Sequence, residues 1–435
     1  MKEFKKFWGA QFRKEPDRDF FEFEKSIDYD CKLAKYDIYH SLVHIEALYE
    51  EKILNRKEYQ KLKEALEEIL EDIKKGKFKI QKKCEDIHTD IQKKVEKKAG
   101  EVAKKLHTLR SRNDQIAFDE KFYCYENAEG VKNLLRKLLV SLEFLRKKYK
   151  DIDFIGYTHL RRAQIVPFYD YIGAFKEMFL RDLNRLTNFT KDLTIYIGSG
   201  AGAGSPLKEA YKKVLKKEIF KNFKKVKPYS NPLDNVSDRD FLIEFLSILS
   251  ILQMHLSRIC EDFILYSTEE FNFFILPEEF CTGSSLLPHK KNPDFLELVR
   301  GFSGIIFGNL VSLLVTMKGL PFSYNRDMQV NKLPLFSSTE IIKDEIKIMT
   351  RFIKKIKLNK EKIEMGKKDN FLYAPRIVEY LVYQGVPFSQ AYKSVAQLIK
   401  YCQGNKIDLK EVPKNMLKKF NKKLTEKTIK NLLPL

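Results

Sequence analysis

The spacing of apolar residues along the chain predicts a largely helical protein. After Asn55 and Glu58, which form a capping-box pattern, apolar residues from Leu62 to Ile73 follow one helix face until Gly76. The same periodicity predicts longer helices over about 119–150, 167–197, 238–267 and 293–317. The last three are apolar on most faces, so other helices must surround them, in a bundle that subunits can share. The pattern therefore favours an all-α fold.

The central helices divide the chain into three predicted domains. We expect an N-terminal helical domain over 1–107, a central long-helix domain over 108–355 and a C-terminal small helical domain over 356–435. The first boundary lies at a polar segment near 105–112. The second lies near 351–360, where a charged and less hydrophobic stretch begins.

Four polar segments interrupt the helical pattern. They are "KLHTLRSRNDQ" from Lys105, "GYTHLRRAQ" from Gly156, "GSSLLPHKKNP" from Gly283 and "LPFSYNRDMQVNKLPLF" from Leu320. Polar loops are usually solvated connectors. Four loops that each carry hydroxyl, amide or cationic donors exceed what connectors require, so these segments are the candidates for function.

The charge of the chain changes this picture little. The formal net charge is +21 over 435 residues, and such a surface attracts phosphates without sequence preference. The excess is mostly Lys spread along the chain and mixed with Glu, and no zinc-finger, RNA-recognition or basic-zipper pattern accompanies it. We therefore predict a Lys-rich soluble surface that favours anionic substrates, and we do not expect nucleic acid as a partner.

Cysteine spacing and apolar runs predict a cytoplasmic protein. The six cysteines form no C-x-x-C motif, so free thiols are expected, and the N-terminus lacks the apolar core of a secretory signal. The most apolar stretch, "FLIEFLSILSIL" from Phe241, is about a dozen residues long and contains Glu244, whereas a membrane span needs about 20 apolar residues. We interpret it as a buried core helix, with no membrane as a partner.

The stretch "CTGSSLLPHKKNPDF" has the features of an anion site. Asn292 is placed to cap the following helix and Pro293 suits its first turn, so Lys290 and Asn292 would lie at a helix N-terminus. Free N–H groups and the helix dipole favour a carboxylate or phosphate there. Gly283 and the adjacent serines suit a mobile or tightly turned backbone that would bring Ser284 close to a bound molecule.

The other polar segments add donors of the same kind. Arg110 and Arg112 offer planar forks that match carboxylates, and His159 can exchange protons near neutral pH. Neutral hydrogen-bonding groups come from Asn113, Thr158, Gln164, Gln329 and Asn331. Together these residues describe a polycarboxylate site with proton-transfer groups.

The sequence does not match three well-defined motifs, those for nucleotide binding, metal binding and hydrolase catalysis. The glycines of "GSGAGAGSPL" from Gly198 match neither G-x-x-x-x-G-K-S/T nor the dinucleotide fingerprint, so a flexible connector is the better interpretation. His40 and His44 have a metal-compatible i, i+4 spacing but no H-E-x-x-H or acidic ligand run, which favours ordinary helix-face histidines. Without a hydrolase signature, Cys281 is interpreted as a bystander thiol.

The polar segments resemble a known family. "GSSLLPHKKN" is similar to the G-S-S-x-M-P-x-K-x-N signature of the fumarase/aspartase superfamily. "HTLRSRNDQ", "GYTHLRRAQ", "NPLDNVSDRDF" and "GLPFSYNRDMQVNKLPLF" narrow the likeness to the argininosuccinate lyase family, from "FWGAQF" at Phe7 to about Phe336. The resemblance implies an all-helical three-domain protein. Its central helices would assemble into a twenty-helix homotetramer core, with active sites shared by three subunits.

The resemblance also implies a reaction: elimination of fumarate from argininosuccinate, leaving arginine, with no cofactor and no metal. Ser284 would be the general base on a mobile loop, and His159 would act near the leaving nitrogen as acid or organiser. Lys290 would stabilise the charge that develops on the aci-carboxylate. Substrate-binding roles carry over to Ser26, Arg112, Asn113, Thr158, Asn292, Tyr324, Gln329 and Lys332. Asp86 and Arg239 also match positions near the site and rank below these.

Three departures from the family pattern bear on the site. Leu109 replaces the glycine of H-T-G-R, and if that position requires positive φ, leucine strains the loop presenting Arg112 and Asn113. Val330 with Asn331 replaces an acidic pair, and Leu287 replaces the signature methionine with conserved volume.

Rival functions remain open on the sequence alone. One is a sister lyase acting on adenylosuccinate or another fumaryl adduct, which the segments "SRNDQ" and "YNRDMQ" disfavour. Another is a non-catalytic structural member of the family, disfavoured because every proposed catalytic residue type is present.

Overall fold

The computed structural model describes residues 11, 14 and 17–433. The N-terminal segment "FWGAQF" from Phe7 therefore lies, apart from Gln11, outside the described residues. The helices are α1 Arg18–Glu24, α2 Ile27–Asp30, α3 Ala34–Glu50, α4 Arg56–Lys74, α5 Ile87–Ala99, α6 Arg112–Lys148, α7 Phe168–Asp192, α8 Lys208–Val214, α9 Pro232–Ser237, α10 Asp240–Ser267, α11 Asp294–Met317, α12 Lys332–Lys355, α13 Lys360–Lys367, α14 Ala374–Tyr383, α15 Phe388–Asn405, α16 Lys414–Phe420 and α17 Glu426–Leu432.

Short 3₁₀ helices and two-stranded sheets connect these helices. The 3₁₀ helices are Cys31–Leu33, Gly100–Lys105, Glu218–Phe220, Glu278–Phe280, Arg326–Asn331, Asn370–Tyr373 and Leu409–Glu411. The antiparallel pairs are β1 Asp153–Thr158 with β2 Arg161–Pro167, β5 Phe274–Ile275 with β8 Lys357–Leu358, and β6 Thr282–Gly283 with β7 Lys291–Asn292. β3 Ile195–Ile197 pairs in parallel with β4 Val226–Pro228. Helices dominate, and the all-α prediction is confirmed.

The described chain forms two units, each built from three separate segments. Unit 1 takes its residues from Met1–Arg136, Arg181–Met254 and Gly301–Ile346, and unit 2 from Lys137–Leu180, His255–Arg300 and Lys347–Leu435. The long helices α6, α7, α10, α11 and α12 each contribute residues to both units. The division into three domains stays a prediction.

The helix α4 shows how local signals define the N-terminal part of unit 1. Asn55 accepts a hydrogen bond from the Glu58 N–H and the Glu58 carboxylate accepts one from the Asn55 N–H, which is the predicted capping box. Leu62, Leu66 and Ile69 are buried, and α4 packs against α3 and α5. Gly76 ends the segment with φ +66°.

Several predicted boundaries shift in the structure. α6 begins at Arg112 rather than at residue 119, with the Ser111 hydroxyl accepting the Asn113 N–H, so "RNDQ" is the first helical turn and not a loop. α7 ends at Asp192, because the β-branched run near Ile195 pairs with β4 instead. "GYTHLRRAQ" forms the β1–β2 hairpin, an alternative that helical periodicity alone does not detect.

Within the part of the chain that the structure describes, two helices are long and apolar enough to cross a membrane by length and composition. In α10, 61% of the most apolar window is buried, whereas in α11 only 17% is buried. Phe241, Leu242, Phe245, Leu246, Leu249 and Leu252 of α10 are all buried. The prediction of a buried core helix is therefore confirmed for α10, and α11 presents apolar side chains that need a cover.

Candidate active site

Seven of the predicted site residues line one cleft in unit 1. The cleft has a volume of about 220 Å³, and its predicted lining residues are Ser26, Asp86, Arg112, Asn113, Tyr324, Gln329 and Lys332. They come from four segments that are far apart in the sequence, so the fold has to assemble them. Both cationic and neutral donors face the same cleft, as a polycarboxylate ligand requires.

Asp30 fixes the floor of this cleft. The Ser26 hydroxyl donates to Asp30 Oδ2 at 2.6 Å, and the Ile87 N–H donates to Asp30 Oδ1 at 3.1 Å. Lys332 Nζ lies 3.5 Å from Asp30 Oδ2, with both side chains buried. Burial raises the pKa of Asp30, although Lys332 acts to lower it. Sequence reasoning missed Asp30; its position four residues after Ser26 on α2 was the available signal.

Lys332 supplies fixed positive charge. Its side chain is 2% exposed. Burial alone acts to lower its pKa, but the nearby carboxylates of Asp30 and Glu120, with smaller contributions from Tyr324 and Asp86, raise it above its ordinary value. The ammonium group therefore keeps its proton at neutral pH in a low-dielectric setting.

Arg112 is held at the cleft by contacts that leave its fork available. Its Nε lies 3.4 Å from Asp86 Oδ2, and its terminal nitrogens donate long hydrogen bonds of 3.5 Å to Thr89 Oγ1 and to Gln115 Oε1. Asp86 is itself fixed, because it caps α5 by accepting the Thr89 N–H at 2.7 Å. Such contacts orient the guanidinium without saturating it, so it can still bind a carboxylate.

The outer edge of the cleft carries a second arginine that sequence reasoning missed. Arg326 Nη2 donates to Glu85 Oε1 and to the Glu24 carbonyl, both at 3.1 Å, and Gln329 Nε2 donates to the same carbonyl at 2.8 Å. Burial and the neighbouring Asp86 raise the pKa of Glu85. Arg326 lies within the quoted "YNRDMQ" segment, so its position there was the signal for it.

Arg239 does not line the cleft. Its side chain is fully buried, and its Nε lies 2.9 Å from Glu120 Oε2 in a pair that is 0% exposed on both sides. It also donates to the Asp238 carbonyl at 2.6 Å. Arg239 therefore stabilises unit 1. Glu120 interacts electrostatically with both Arg239 and Lys332.

The remaining predicted residues lie in unit 2, on two hairpins. Thr158 pairs with Arg161 at the end of the β1–β2 hairpin, and His159 and Leu160 form its two-residue turn with φ +54° at both positions. Positive φ at both central residues is typical of a type I′ turn. The turn presents the Thr158 and His159 side chains to solvent.

Ser284 and Lys290 lie in the loop of the β6–β7 hairpin, and Asn292 lies in β7. Ser284 Oγ accepts the N–H groups of Leu287 at 3.0 Å and Leu286 at 3.3 Å. Lys290 and Asn292 line a cleft beside the first residues of α11. The prediction that Asn292 caps α11 is wrong, since the Pro293 carbonyl accepts the first helical N–H groups and the helix begins at Asp294.

One group of described residues has metal-compatible geometry. His88 Nδ1 lies 3.2 Å from Asp37 Oδ1 and 3.7 Å from Asp119 Oδ2, all buried. The buried Arg110 interacts electrostatically with both carboxylates, so a guanidinium already supplies positive charge here. The adjoining cavity, about 10 Å³, holds about one water. We interpret the group as a buried polar network beside Arg112, which lines the same small cavity.

The chain is similar to known proteins over most of its length. A family model described as "Lyase" matches residues 10–308, and one described as "Argininosuccinate lyase C-terminal" matches residues 371–435. An argininosuccinate lyase of Caldanaerobacter subterraneus subsp. tengcongensis is 40% identical over 417 residues, which cover 96% of this chain and 93% of the relative. The chain belongs to the argininosuccinate lyase family. Another argininosuccinate lyase, of a Hydrogenobaculum species, is 40% identical over 418 residues, 96% of this chain and 89% of the relative.

Solved structures support the fold of this family member. A fumarate lyase:delta crystallin from Brucella melitensis, in a structure bound to cobalt, superposes with a TM-score of 0.78 at 17% identity, covering 98% of this chain and 92% of that chain. A class II fumarase from Schistosoma mansoni gives 0.77 at 15% identity, covering 95% and 91%. At these identities the likeness shows the fold alone.

Proposed function

We propose that the protein cleaves argininosuccinate to arginine and fumarate by a reversible β-elimination, the last step of arginine biosynthesis. The observation that carries the proposal is the convergence of Arg112, Asn113, Tyr324, Gln329 and Lys332 on one cleft. These donors match a substrate with several carboxylates. The family membership and the C-terminal family match support the same substrate over adenylosuccinate or another fumaryl adduct.

The reaction requires a base and a place for developing negative charge. Removing the proton beside a carboxylate gives a dianionic aci-carboxylate, which fixed cations stabilise more than they stabilise the substrate. We assign Ser284 as the base: two N–H groups already point at its Oγ, the atom that must carry negative charge after losing its proton. Lys290 stabilises the aci-carboxylate, and Asn292 and Thr158 bind substrate.

His159 serves the leaving nitrogen. Its position at the exposed tip of a tight hairpin allows it to reach a substrate that is bound by other parts of the assembly. As an imidazole, it can donate a proton near neutral pH or orient a water that does so. Loss of the imidazole would then slow departure of arginine more than it weakens binding.

We infer that the protein is a cytoplasmic homotetramer whose active sites combine residues of three subunits. α11 supports this inference because apolar side chains such as Leu298, Val311 and Val315 are more than half exposed on it. A second copy can cover that face, since Cβ atoms built at Gly301, Gly304 and Gly308 would meet nothing within 4 Å, and small residues let helices approach closely.

The shared site has a direct test. Arg112→Gln and Ser284→Ala are each expected to be nearly inactive when purified alone. Unfolding and refolding them as a mixture should restore a measurable fraction of activity, because some sites then take intact residues from different copies. If the mixture stays as inactive as each parent while forming tetramers, the residues belong to one copy and the shared site is wrong.

The activity is tested with a substrate panel. Argininosuccinate should give the rising ultraviolet absorbance of fumarate, and adenylosuccinate should not. Ser284→Ala should abolish the signal, whereas the neighbouring Ser285→Ala serves as the matched control and should keep it. If the folded protein is inactive with argininosuccinate but active with adenylosuccinate, it is an adenylosuccinate lyase instead. If it is inactive with both substrates, a structural role is favoured.

A further inference from the structure

The segment 198–205, which we call the glycine loop, has a defined conformation and is not the flexible connector that its composition suggests. All its glycines have positive φ: Gly198 at +90°, Gly200 at +59°, Gly202 at +122° and Gly204 at +83°. Within the loop, the Ser205 N–H donates to the Gly198 carbonyl at 2.7 Å. A Cβ on Gly198 would lie 2.7 Å from the Tyr211 ring, so only glycine fits there.

The glycine loop grips the start of α6. The Gly198 N–H donates to Asp114 Oδ2 at 2.9 Å, and the Ser199 N–H donates to Asp114 Oδ1 at 3.0 Å. The Asp114 carboxylate is buried, and it directly follows Asn113 in the chain. Two parallel hydrogen bonds to one charged group fix both its position and its orientation. The turn that carries Arg112 and Asn113 is therefore anchored from one side.

A second contact holds the residue that enters this turn. The Ser205 hydroxyl donates to the Leu109 carbonyl at 3.1 Å, with Ser205 buried. Leu109 has φ +58°, a left-handed conformation that costs a non-glycine residue free energy, and its side chain is 47% exposed. A half-exposed leucine contributes little packing to offset that cost. The hydrogen bond from Ser205 holds the Leu109 carbonyl itself in the orientation that the left-handed backbone gives it.

The same loop reaches the other side of the cleft. Ser323 has φ +74°, and its hydroxyl donates to the Ala201 carbonyl at 3.3 Å. Ser323 immediately precedes Tyr324, which lines the cleft. One short loop thus touches the two strained positions that introduce the substrate-binding segments.

We propose that the glycine loop is a positioning element for substrate binding, and that Ser205 offsets the strain of Leu109 so that Arg112 and Asn113 face the cleft. The inference rests on the proposed function. Ser205 touches no reacting atom in this scheme. Its loss lets the 109–111 backbone relax out of the left-handed conformation, which misplaces the donors of the substrate carboxylates and weakens binding.

The test is a cycle of three variants: Ser205→Ala, Leu109→Gly and the double variant. Ser205→Ala should raise the KM for argininosuccinate by about 5- to 30-fold with kcat within about twofold, as loss of one hydrogen bond that acts on binding predicts. Leu109→Gly makes the left-handed backbone inexpensive. In that background, the same Ser205→Ala change should alter KM by less than about threefold, and this coupling is the signature of strain relief.

Ser250→Ala is the matched control. Ser250 is also a buried serine that donates to a backbone carbonyl, that of Leu246 at 2.8 Å, within α10. Ser250→Ala should leave KM unchanged, because Ser250 contacts none of the segments that line the cleft. The inference is overturned if Ser205→Ala lowers Tm without raising KM, or if its effect on KM is equal in both backgrounds.

Loss of folding and loss of turnover lead to separate tests of the glycine loop. If Ser205→Ala alone does not fold, the double variant is compared with Leu109→Gly, and a KM ratio above about threefold contradicts the inference. If the unsubstituted protein does not turn over argininosuccinate, the proposed function fails first. Calorimetric titration of the same variants with arginine then tests the positioning role independently: Ser205→Ala should weaken arginine binding in the Leu109 background only, and equal affinities would overturn it.

Discussion

Glu345 should make the stability of the protein fall as pH rises. It lies on α12 with 4% of its surface exposed, and Gln253 Nε2 donates to its Oε1 at 3.3 Å. Burial raises the pKa of this carboxyl from 4.5 to about 8, with the Gln253 hydrogen bond acting in the opposite direction. The folded state therefore holds a proton that the unfolded state has released across the window from about pH 4.5 to pH 8.

The size of the effect follows from the two pKa values. A pKa difference of about 3.5, at about 1.36 kcal/mol per unit, corresponds to about 5 kcal/mol once both states are ionised. Between pH 5 and pH 8 the expected loss is about 3.5 kcal/mol, since part of the penalty is already present at pH 5. The sign is fixed: a folded pKa above the unfolded one gives stability that is lost on raising the pH.

Glu345→Gln isolates this contribution, because the amide has the same shape and does not titrate in this range. Urea unfolding at pH 5 and pH 8, at one protein concentration, should show a loss for the parent that exceeds the loss for the variant by roughly 3.5 kcal/mol. The variant should be the more stable protein at pH 8. Equal losses in both proteins would refute the argument and mean that Glu345 is ionised in the folded state.

Three other substitutions probe assembly, stability and binding. Gly304→Leu should keep the helical circular dichroism, since its Cβ meets nothing within 4 Å, but should yield particles smaller than a tetramer by light scattering; intact tetramers would contradict the α11 interface. Glu120→Gln removes the charge that pairs with the buried Arg239 and should lower the free energy of unfolding by about 3–5 kcal/mol. An unchanged denaturation midpoint would contradict this prediction. Arg112→Lys should raise KM about 10- to 100-fold, because lysine cannot bind a carboxylate with two parallel hydrogen bonds. The control is Arg136→Lys on the same helix, where the arginine makes an exposed hydrogen bond to Asn133, and KM should not change.

Most helices could be predicted from the sequence for local reasons, whereas most of the unit 1 cleft could be predicted only from the resemblance to a family. Capping chemistry at Asn55 and helical periodicity act within a few residues, so α4 follows from its own sequence. Because leucine replaces the family's glycine at position 109, the sequence raises the question of positive φ there, and Leu109 does have positive φ in the structure. The lining residues of the cleft were predicted from the resemblance. They lie in four segments far apart in the chain, and residue spacing alone cannot show that such segments meet.

The remaining features depend on pairing between separate segments, which local sequence patterns do not reveal. The resemblance implies that Arg239 lies near the site, but it does not reveal that Arg239 pairs with Glu120, 119 positions earlier in the chain. The glycine loop looked flexible because glycine composition does not reveal that Asp114 accepts its N–H groups. Asn292 lost the capping role to Pro293 because pairing of β6 with β7 draws it into a strand.

Measuring both products that the purified protein forms from argininosuccinate tests the proposed elimination most directly. Elimination predicts arginine and fumarate in equal amounts, with the same time course, and neither product from Ser284→Ala at the same concentration of folded protein. Release of arginine without fumarate, or equal turnover by Ser284→Ala, would contradict an elimination that begins with proton abstraction at this hairpin.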